Sequence, residues 1–186
     1  MATLRERNRN RAMRELQELA LDMFEDDGFD AVTVEDIAAA GGVSASTIYR
    51  YFGTKERLVA WEEDNKELTK DLVRRLASTP PIQAFRDALI TTLRNEEANR
   101  PLLRRVRFLF ANPQVHAAAI EQDLRDQAEL ADGFAQVADR RTPSLEDKTQ
   151  AAVCMAALDA AVEEWQRAEN NHSLTDLIAR AFAAID

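Results

Sequence analysis

The chain has 186 residues, of which 46% are hydrophobic and 31% charged, a composition that fits a globular, helix-rich protein and excludes a disordered one. Its formal net charge of −9 excludes a protein that coats nucleic acid through bulk electrostatic attraction. The single cysteine, Cys154, excludes an internal disulfide. Because the sequence has no long apolar run, neither a signal peptide nor a membrane span is expected. The predicted location is therefore cytoplasmic.

The first segment of the chain is basic. Residues 1–14 contain five arginines and one glutamate, so their net charge is +4 and the rest of the chain carries −13. A basic arm before an acidic body can bind DNA phosphates while the body repels non-specific DNA; the alternative is a solvated N-terminus without a role. From about Arg9 to Asp27, apolar residues recur every three or four positions and predict an amphipathic helix that ends at Gly28.

A short second helix is predicted over residues 34–40. Thr33 is expected to cap it, with Asp36 as the partner in a capping box. Gly41 and Gly42 end it, because glycine takes the left-handed conformation of a tight turn without strain.

A third helix is predicted from Ala45 to Phe52, with Ser44 as its cap and Ile48 and Phe52 facing the core. Its outward face carries hydrogen-bonding and stacking residues instead of the lysine and glutamate mixture of an ordinary solvated helix. Two short helices joined by a glycine turn form a helix-turn-helix. The outward residues are Ser46, Thr47, Tyr49 and Arg50.

The remainder of the chain is predicted to be helical. Thr54 caps a long helix from Lys55 to about Ala77, which joins two regions and ends at Ser78–Pro81. No strand pattern competes, so the sequence predicts an all-α protein of about nine helices. The later helices are predicted at about 82–95, 100–110, 113–139, 144–168 and 174–185, the last two capped by Ser144 with Asp147 and Ser173 with Asp176.

The stretch from Thr33 to Ser44, continued by Thr47–Phe52 and Lys55–Leu58, resembles the DNA-binding domain of the TetR family of transcriptional regulators. Gly41 departs from the family, which more often has alanine there. The resemblance implies a three-helix helix-turn-helix DNA-binding domain over residues 1–54. It also implies a larger helical domain for effector binding and dimerisation over residues 55–186.

The C-terminal half is loosely similar to an actinobacterial subgroup of this family that includes the mycofactocin regulator. The similarity rests on Arg104, Val106, Phe108 and Leu109 before Asn112-Pro113, and on an alanine-rich helix that ends in Trp165. Some members of that subgroup respond to acyl-coenzyme A thioesters, so such a thioester is a candidate effector.

The third helix is predicted to read bases, because an α-helix fits the major groove and presents its exposed side chains to base edges. Ala45 suits a thymine methyl group, Ser46 and Thr47 suit hydrogen bonds to several bases, and Arg50 suits a guanine or a phosphate. A solvated surface position is the alternative for Arg50.

Phosphate contacts are predicted for residues around the reading face. The hydroxyls of Tyr49 and Tyr51 suit phosphate oxygens, although Tyr51 also fits a core position. The resemblance implies a phosphate contact for Lys55, whereas Thr33 is foremost a helix cap. The complete set of predicted DNA-binding residues is Thr33, Ser44, Ala45, Ser46, Thr47, Tyr49, Arg50, Tyr51 and Lys55.

A homodimer on a palindromic operator is expected, because one helix-turn-helix reads only a few base pairs. The resemblance places the interface in the last two helices, about 144–168 and 174–185. The first of them is rich in alanine, which allows another helix to approach closely; ordinary packing within the chain is the alternative.

A small, mostly apolar effector is expected to bind between helices of the C-terminal domain. The candidate residues lie on predicted buried faces, and each of them also fits a purely structural core position. They are Phe85, Leu89, Leu93, Phe108, Phe134, Met155, Leu158 and Trp165.

The predicted function is therefore a sequence-specific DNA-binding regulator, a repressor that its effector releases from the operator. The alternatives are a helical small-molecule-binding protein or enzyme without DNA regulation, and a helical adaptor. No catalytic residue, cofactor or metal site is predicted, since the sequence has no HExxH, glycine-rich phosphate loop or Ser/His/Asp set. His116 and His172 each lack a second ligand at metal-binding spacing.

Overall fold

A computed structural model of the chain describes residues 4–61, 66–94, 100–167 and 172–185. Within these ranges the fold is all-α, as predicted, with ten helices and no strand. The helices are α1 (Leu4–Asp27), α2 (Val34–Ala40), α3 (Ala45–Tyr51), α4 (Lys55–Ala60), α5 (Lys66–Leu76), α6 (Pro81–Leu93), α7 (Arg100–Ala111), α8 (Pro113–Val137), α9 (Leu145–Arg167) and α10 (Leu174–Ala183).

The chain forms two compact units. The first, here called the head unit, comprises Met1–Glu63 and Pro101–Ala119; the second, here called the body unit, comprises Asp64–Arg100 and Ile120–Asp186. The head unit thus contains α7 in addition to the first four helices. The boundary of the DNA-binding domain after residue 54 stays a prediction.

Helix α1 begins at Leu4, whereas the sequence predicted a start near Arg9. Arginine, leucine and glutamate are good helix formers, and neither glycine nor proline occurs between Leu4 and Asp27, so the helix continues through the basic segment. The described part of that segment is therefore the first turns of a helix and not an extended arm. The helix ends where predicted, at Gly28, whose φ is +90°.

The turn between α2 and α3 has the predicted construction. Thr33 caps α2 through a complete capping box with Asp36, and Gly42 takes the left-handed conformation with φ of +65°. Gly41 stays in the right-handed region, and a Cβ atom there would lie 2.5 Å from Cδ2 of Leu16. The glycine therefore lets α1 approach the end of α2 more closely than alanine would.

The reading helix α3 is fixed by its cap and by its buried face. The Ser44 hydroxyl accepts a hydrogen bond from the Thr47 amide at 3.2 Å, as the sequence predicted. Ile48 is completely buried and Phe52 nearly so. With this face in the core, the opposite face of α3 must point outward.

Helix α7 belongs to the head core. The ring of Phe108 lies 5.6 Å from that of Phe24 and 6.1 Å from that of Phe29. Next to it, the Arg104 guanidinium donates to both Glu25 carboxylate oxygens at 3.0 and 2.7 Å and lies 2.7 Å from an Asp22 oxygen. These contacts join α7 to α1.

The predicted single helix from Lys55 to Ala77 is wrong. Helix α4 ends at Ala60 and Trp61 is extended with φ −60° and ψ 131°; the next described helix is α5, Lys66–Leu76. This break, which the sequence pattern did not show, raises the number of helices from the nine expected to ten.

Two buried side chains explain the break, because they take the carbonyls that a continuing helix would use. The Gln17 amide nitrogen donates to the carbonyl oxygens of Leu58, Val59 and Trp61 at 2.8, 3.0 and 2.8 Å. Arg105 Nη1 lies 3.5 Å from the Val59 oxygen and 3.4 Å from the Ala60 oxygen. We call Gln17 and Arg105 the α4 cap, since together they satisfy the end of that helix.

The body unit is built around α6, α9 and α10. The rings of Phe85 and Phe182 are 6.2 Å apart, and Ile178 and Cys154 are completely buried; burial raises the pKa of the Cys154 thiol to about 12. The predicted caps are present at both C-terminal helices, Ser144 with Asp147 and Ser173 with Asp176.

Asp147 is a buried carboxylate of the body unit that several hydrogen bonds hold in place. It is 3% exposed and accepts hydrogen bonds from Arg140, at 2.7 Å for one of them, and from the Ser144 amide and hydroxyl. The Arg140 hydrogen bond, with those from Ser144, lowers the pKa of Asp147 to about 2 despite burial.

None of the described helices combines the length and the apolar character that a membrane crossing requires.

Replacing Gln17 with leucine tests the α4 cap. The change keeps the size of the side chain but removes the donor for buried carbonyls, and a buried group left unsatisfied costs about 1–3 kcal/mol. We expect the free energy of unfolding to fall by about that amount, measured by urea denaturation with far-UV circular dichroism. Gln114→Leu, at an exposed position of α8, is the matched control. Equal stability of the two variants would show that the cap contributes nothing.

Candidate nucleic-acid interface

The outward face of α3 is polar, with short side chains in its first turn and longer ones after it. Ser46, Tyr49 and Arg50 are exposed, and Thr47 is half-buried. Ala45 is also half-buried and packs against the head core, so its methyl group is less prominent than the sequence implied. The backbone of the first turn of α3, where Ser46 and Thr47 lie, can therefore come close to a partner surface.

Three hydroxyls meet at the start of α3. The Ser44 oxygen lies 2.8 Å from the Ser46 oxygen and 2.8 Å from the Thr47 oxygen. Each hydroxyl can donate or accept, so the group can adapt to either kind of partner on a base edge. The structure thus brings together three of the residues that the sequence assigned to DNA.

The two tyrosines of α3 are exposed, Tyr49 by 48% and Tyr51 by 41%, so Tyr51 does not occupy the core position considered for it. The Arg50 guanidinium lies 4.8 Å from the centre of the Tyr51 ring, a cation–π arrangement. Both hydroxyls and the guanidinium are placed at the surface of the same helix.

Tyr49 also contacts α2. Its hydroxyl donates to Glu35 Oε1 at 3.3 Å, and partial desolvation, with a smaller effect of the Glu35 charge, raises the pKa of Tyr49. The hydroxyl therefore keeps its proton at neutral pH and remains a donor.

Thr33 and Asp36 form hydrogen bonds with each other at the start of α2. The Thr33 hydroxyl donates to Asp36 Oδ2 at 2.5 Å and accepts from the Asp36 amide at 3.1 Å. The hydrogen bond from the Thr33 side chain is the main reason why the pKa of Asp36 is lowered. The cap role predicted for Thr33 is confirmed, and its phosphate contact stays a prediction.

Lys55 ties the start of α4 to the bridge between α1 and α2. Its ammonium donates to the carbonyls of Phe29 and Val32 at 2.6 and 3.0 Å and lies 4.3 Å from the centre of the Phe29 ring. Sequence reasoning missed this role, because the acceptors are backbone atoms distant in the chain. An ammonium has three N–H groups, so these two hydrogen bonds are compatible with a phosphate contact of Lys55. That contact stays a prediction.

The candidate effector residues separate into two groups. Phe108 lies in the head core, and the others belong to the body unit. Of these, Met155 and Leu158 are half-buried, while Phe85, Leu89, Leu93, Phe134 and Trp165 are buried.

Gln166, next to Trp165 on α9, was not singled out from the sequence. Its amide nitrogen is buried and has no hydrogen-bond partner among the described residues. Such a donor is costly unless something accepts from it. No sequence signal distinguishes this glutamine, because the absence of a partner is a tertiary property.

The alanine-rich helix α9 has two faces. Ala151, Ala157 and Ala161 are buried within the body unit, whereas Ala156 and Ala160 are exposed. Ala179 and Ala183 are likewise exposed on α10. Intrachain packing thus accounts for only part of the alanine pattern.

No group of histidine, cysteine and carboxylate side chains able to hold a metal ion occurs in the described part of the chain. His116 instead packs against Phe110, with ring centres 4.6 Å apart.

Two family models match the chain. The model described as bacterial regulatory proteins, tetR family, matches residues 16–60, from within α1 to the end of α4. The model described as MftR C-terminal domain matches residues 79–186, more than half of the chain.

Relatives and solved structures agree with these matches. The chain is 25% identical over 183 residues to a mycofactocin biosynthesis transcriptional regulator, MftR, of Mycobacterium tuberculosis, covering 96% of this chain and 91% of that protein. SmeT in complex with triclosan has a TM-score of 0.59 at 18% identity, covering 93% of this chain and 91% of that one. Thermus thermophilus FadR in complex with lauroyl-CoA has a TM-score of 0.53 at 20% identity, covering 92% of each chain. The two structural likenesses show a shared fold.

Proposed function

The chain belongs to the TetR family of bacterial regulatory proteins, and from that premise we propose that it is a repressor whose homodimer binds a palindromic operator until a small, mostly apolar effector releases it. Members of the family are DNA-binding transcriptional regulators and not enzymes, and this chain is one of them. The observation that carries the proposal is the exposed polar face of α3.

The composition of this face suits recognition of base edges. Ser46 and Thr47 can make hydrogen bonds with several bases, and Arg50 can donate two parallel hydrogen bonds to a guanine. Ser44 caps α3 and the buried Ile48 holds it against the core. The backbone from which the base-reading side chains project is therefore fixed. The hydroxyl of Tyr51 then positions the helix on a phosphate, which carries no sequence information, and that of Tyr49 does so by exchanging Glu35 for a phosphate oxygen.

Fluorescence anisotropy with promoter duplexes tests the DNA-binding function and this division of roles. Thr47→Ala should lose about 1–3 kcal/mol of discrimination at one base pair, because a base contact is removed. Tyr51→Phe should weaken binding to all duplexes by a similar factor, because only a phosphate contact is removed. Thr47→Ser, which keeps the hydroxyl, is the control.

A single-base substitution series of the operator separates the two effects. If Thr47→Ala and Tyr51→Phe gave the same profile across the series, the roles assigned here would be wrong. If the unaltered protein bound no duplex with salt-sensitive sequence preference, the regulator function itself would be rejected.

The dimer interface is proposed on the exposed faces of α9 and α10. Ala156 and Ala160 on α9 and Ala179 and Ala183 on α10 leave room for the helices of a second copy to pack closely. Two reading heads are needed because one head contacts too few base pairs for useful specificity.

Ala156→Glu should therefore abolish the dimer, since it places a bulky charge in a close helix contact. Sedimentation velocity is expected to show a monomer, and affinity for the full palindrome should fall towards that for one half-site. Ala128→Glu introduces the same side chain at an exposed position of α8 and should leave the dimer intact. A dimer that persists in Ala156→Glu would refute this interface.

The effector is proposed to bind in the body unit, among the buried residues of α6, α8 and α9 that include Phe85, Phe134 and Trp165. An acyl-coenzyme A thioester or a similar molecule suits an apolar site with few polar groups. FadR, which shares the fold, is described in complex with lauroyl-CoA. The unsatisfied amide of Gln166 is a suitable donor for the carbonyl of such a thioester.

Titration of the operator complex with lauroyl-CoA tests the effector. We expect release of DNA by lauroyl-CoA and none by coenzyme A alone, since binding energy comes from the apolar chain. Gln166→Leu should raise the concentration for half-release by about 2- to 10-fold, the range of one lost hydrogen bond. Gln136→Leu, at an exposed site on α8, should not change it. Release by coenzyme A alone, or no release by lauroyl-CoA, would contradict the proposed ligand class.

A further inference from the structure

An open groove of about 560 Å³ runs beside the reading helix, between the first turns of α1 and α3. Arg5 and Arg9 form one wall, and Thr47 and Tyr51 form the other. Met13 and Leu16, both buried in the head core, contribute to the floor. The groove lies entirely within the head unit.

The arginines of α1 fall on two opposite faces. Arg5 and Arg9 are one turn apart and share the stripe of Met13 and Leu16, as a helix of 3.6 residues per turn requires. By the same geometry Arg7 and Arg11 project to the other side of the helix. Arg11 there forms an ion pair with Glu15, with Nε and Oε1 2.8 Å apart.

The occupant of this groove should be a polyanion that passes along α3. Residues 1–14 have a net charge of +4 in a chain that otherwise carries −13, so the first turns of α1 attract anions. The opposite wall is formed by Thr47 and Tyr51, which the proposed function places on the operator. A duplex seated on α3 therefore continues directly past the groove.

We propose that Arg5 and Arg9 bind backbone phosphates of the DNA that flanks the half-site read by α3. The inference rests on the proposed function and extends it, because it assigns two further contacts to one face of α1. The footprint of each head is then wider than the base pairs that α3 reads. The added contacts contribute affinity and salt dependence but no base specificity.

A charge-matched pair of double variants tests the proposal. Arg5→Gln with Arg9→Gln removes the groove arginines, and Arg7→Gln with Arg11→Gln removes the same charge from the opposite face. Glutamine is a good helix former, so α1 is expected to persist, which circular dichroism checks. Each protein is titrated against two duplexes, one ending at the half-sites and one with flanking base pairs, over a range of salt concentrations.

For the flanked duplex, we expect the groove variant to reduce the slope of log K against log salt by about 3.6 for the dimer, because two phosphate contacts are lost from each of its two heads and each contact contributes about 0.9. The control variant should change that slope by much less, and neither should alter the preference between operator and scrambled sequence. The gain in affinity that flanking base pairs give the unaltered protein should disappear in the groove variant.

Equal losses in the two double variants would overturn the proposal in favour of general electrostatic attraction. A groove variant that matched the unaltered protein on both duplexes would overturn it as well. Either result leaves the proposed function standing, provided that the unaltered protein prefers its operator. Loss of that preference in the unaltered protein would instead refute the proposed function, and this inference with it.

Discussion

The head unit depends on how the short helix α4 is ended. A six-residue helix is unstable alone, and its last carbonyls have no partners within the helix. Gln17 from α1 and Arg105 from α7 supply those partners from the interior of the protein. Nη1 of the buried Arg105 guanidinium lies 3.5 and 3.4 Å from two of these carbonyl oxygens, at the negative end of the helix dipole, which favours its charge. At the other end, Lys55 holds α4 to the bridge between α1 and α2.

This arrangement bears on the proposed release of DNA. The chain leaves the head unit after α4, returns to it for α7 and leaves it again within α8, so all three helices lie at covalent links to the body unit. In the proposed mechanism an effector favours one of two conformations of the whole molecule. Two of these three helices, α4 and α7, meet α1 at the α4 cap. A change that moved α7 would therefore alter the support of α3 without touching α3 itself.

Local patterns were enough to predict the helix-turn-helix. The caps at Thr33, Ser44 and Thr54, the buried Ile48 and the left-handed Gly42 follow from residues within a few positions of one another. The features that the sequence did not reveal depend on distant contacts. Gln17, which is 41 residues from Leu58, sets the end of α4. The ammonium of Lys55 is held by carbonyl oxygens 23 and 26 residues away.

The earlier start of α1 and the position of Phe108 were missed for different reasons. The basic segment has no apolar periodicity before Met13, so its helical state follows from propensity alone. Phe108 lies on an apolar face of α7, and the pattern says that this face is buried but not against which partner. Its neighbours Phe24 and Phe29 become evident only from the tertiary structure.

The charge distribution gives the reading face and the α1 arginines complementary tasks. The outward face of α3 has hydroxyls and one arginine, so it discriminates between bases but supplies little electrostatic attraction. An acidic molecule of net charge −9 also repels DNA at a distance, which lowers non-specific binding. Electrostatic attraction to DNA must then come from a few cations close to the bound duplex. Lys55 already donates to two carbonyl oxygens within the head unit. The basic first turns of α1 place positive charge beside α3, so in the proposed complex they add affinity while α3 reads the sequence.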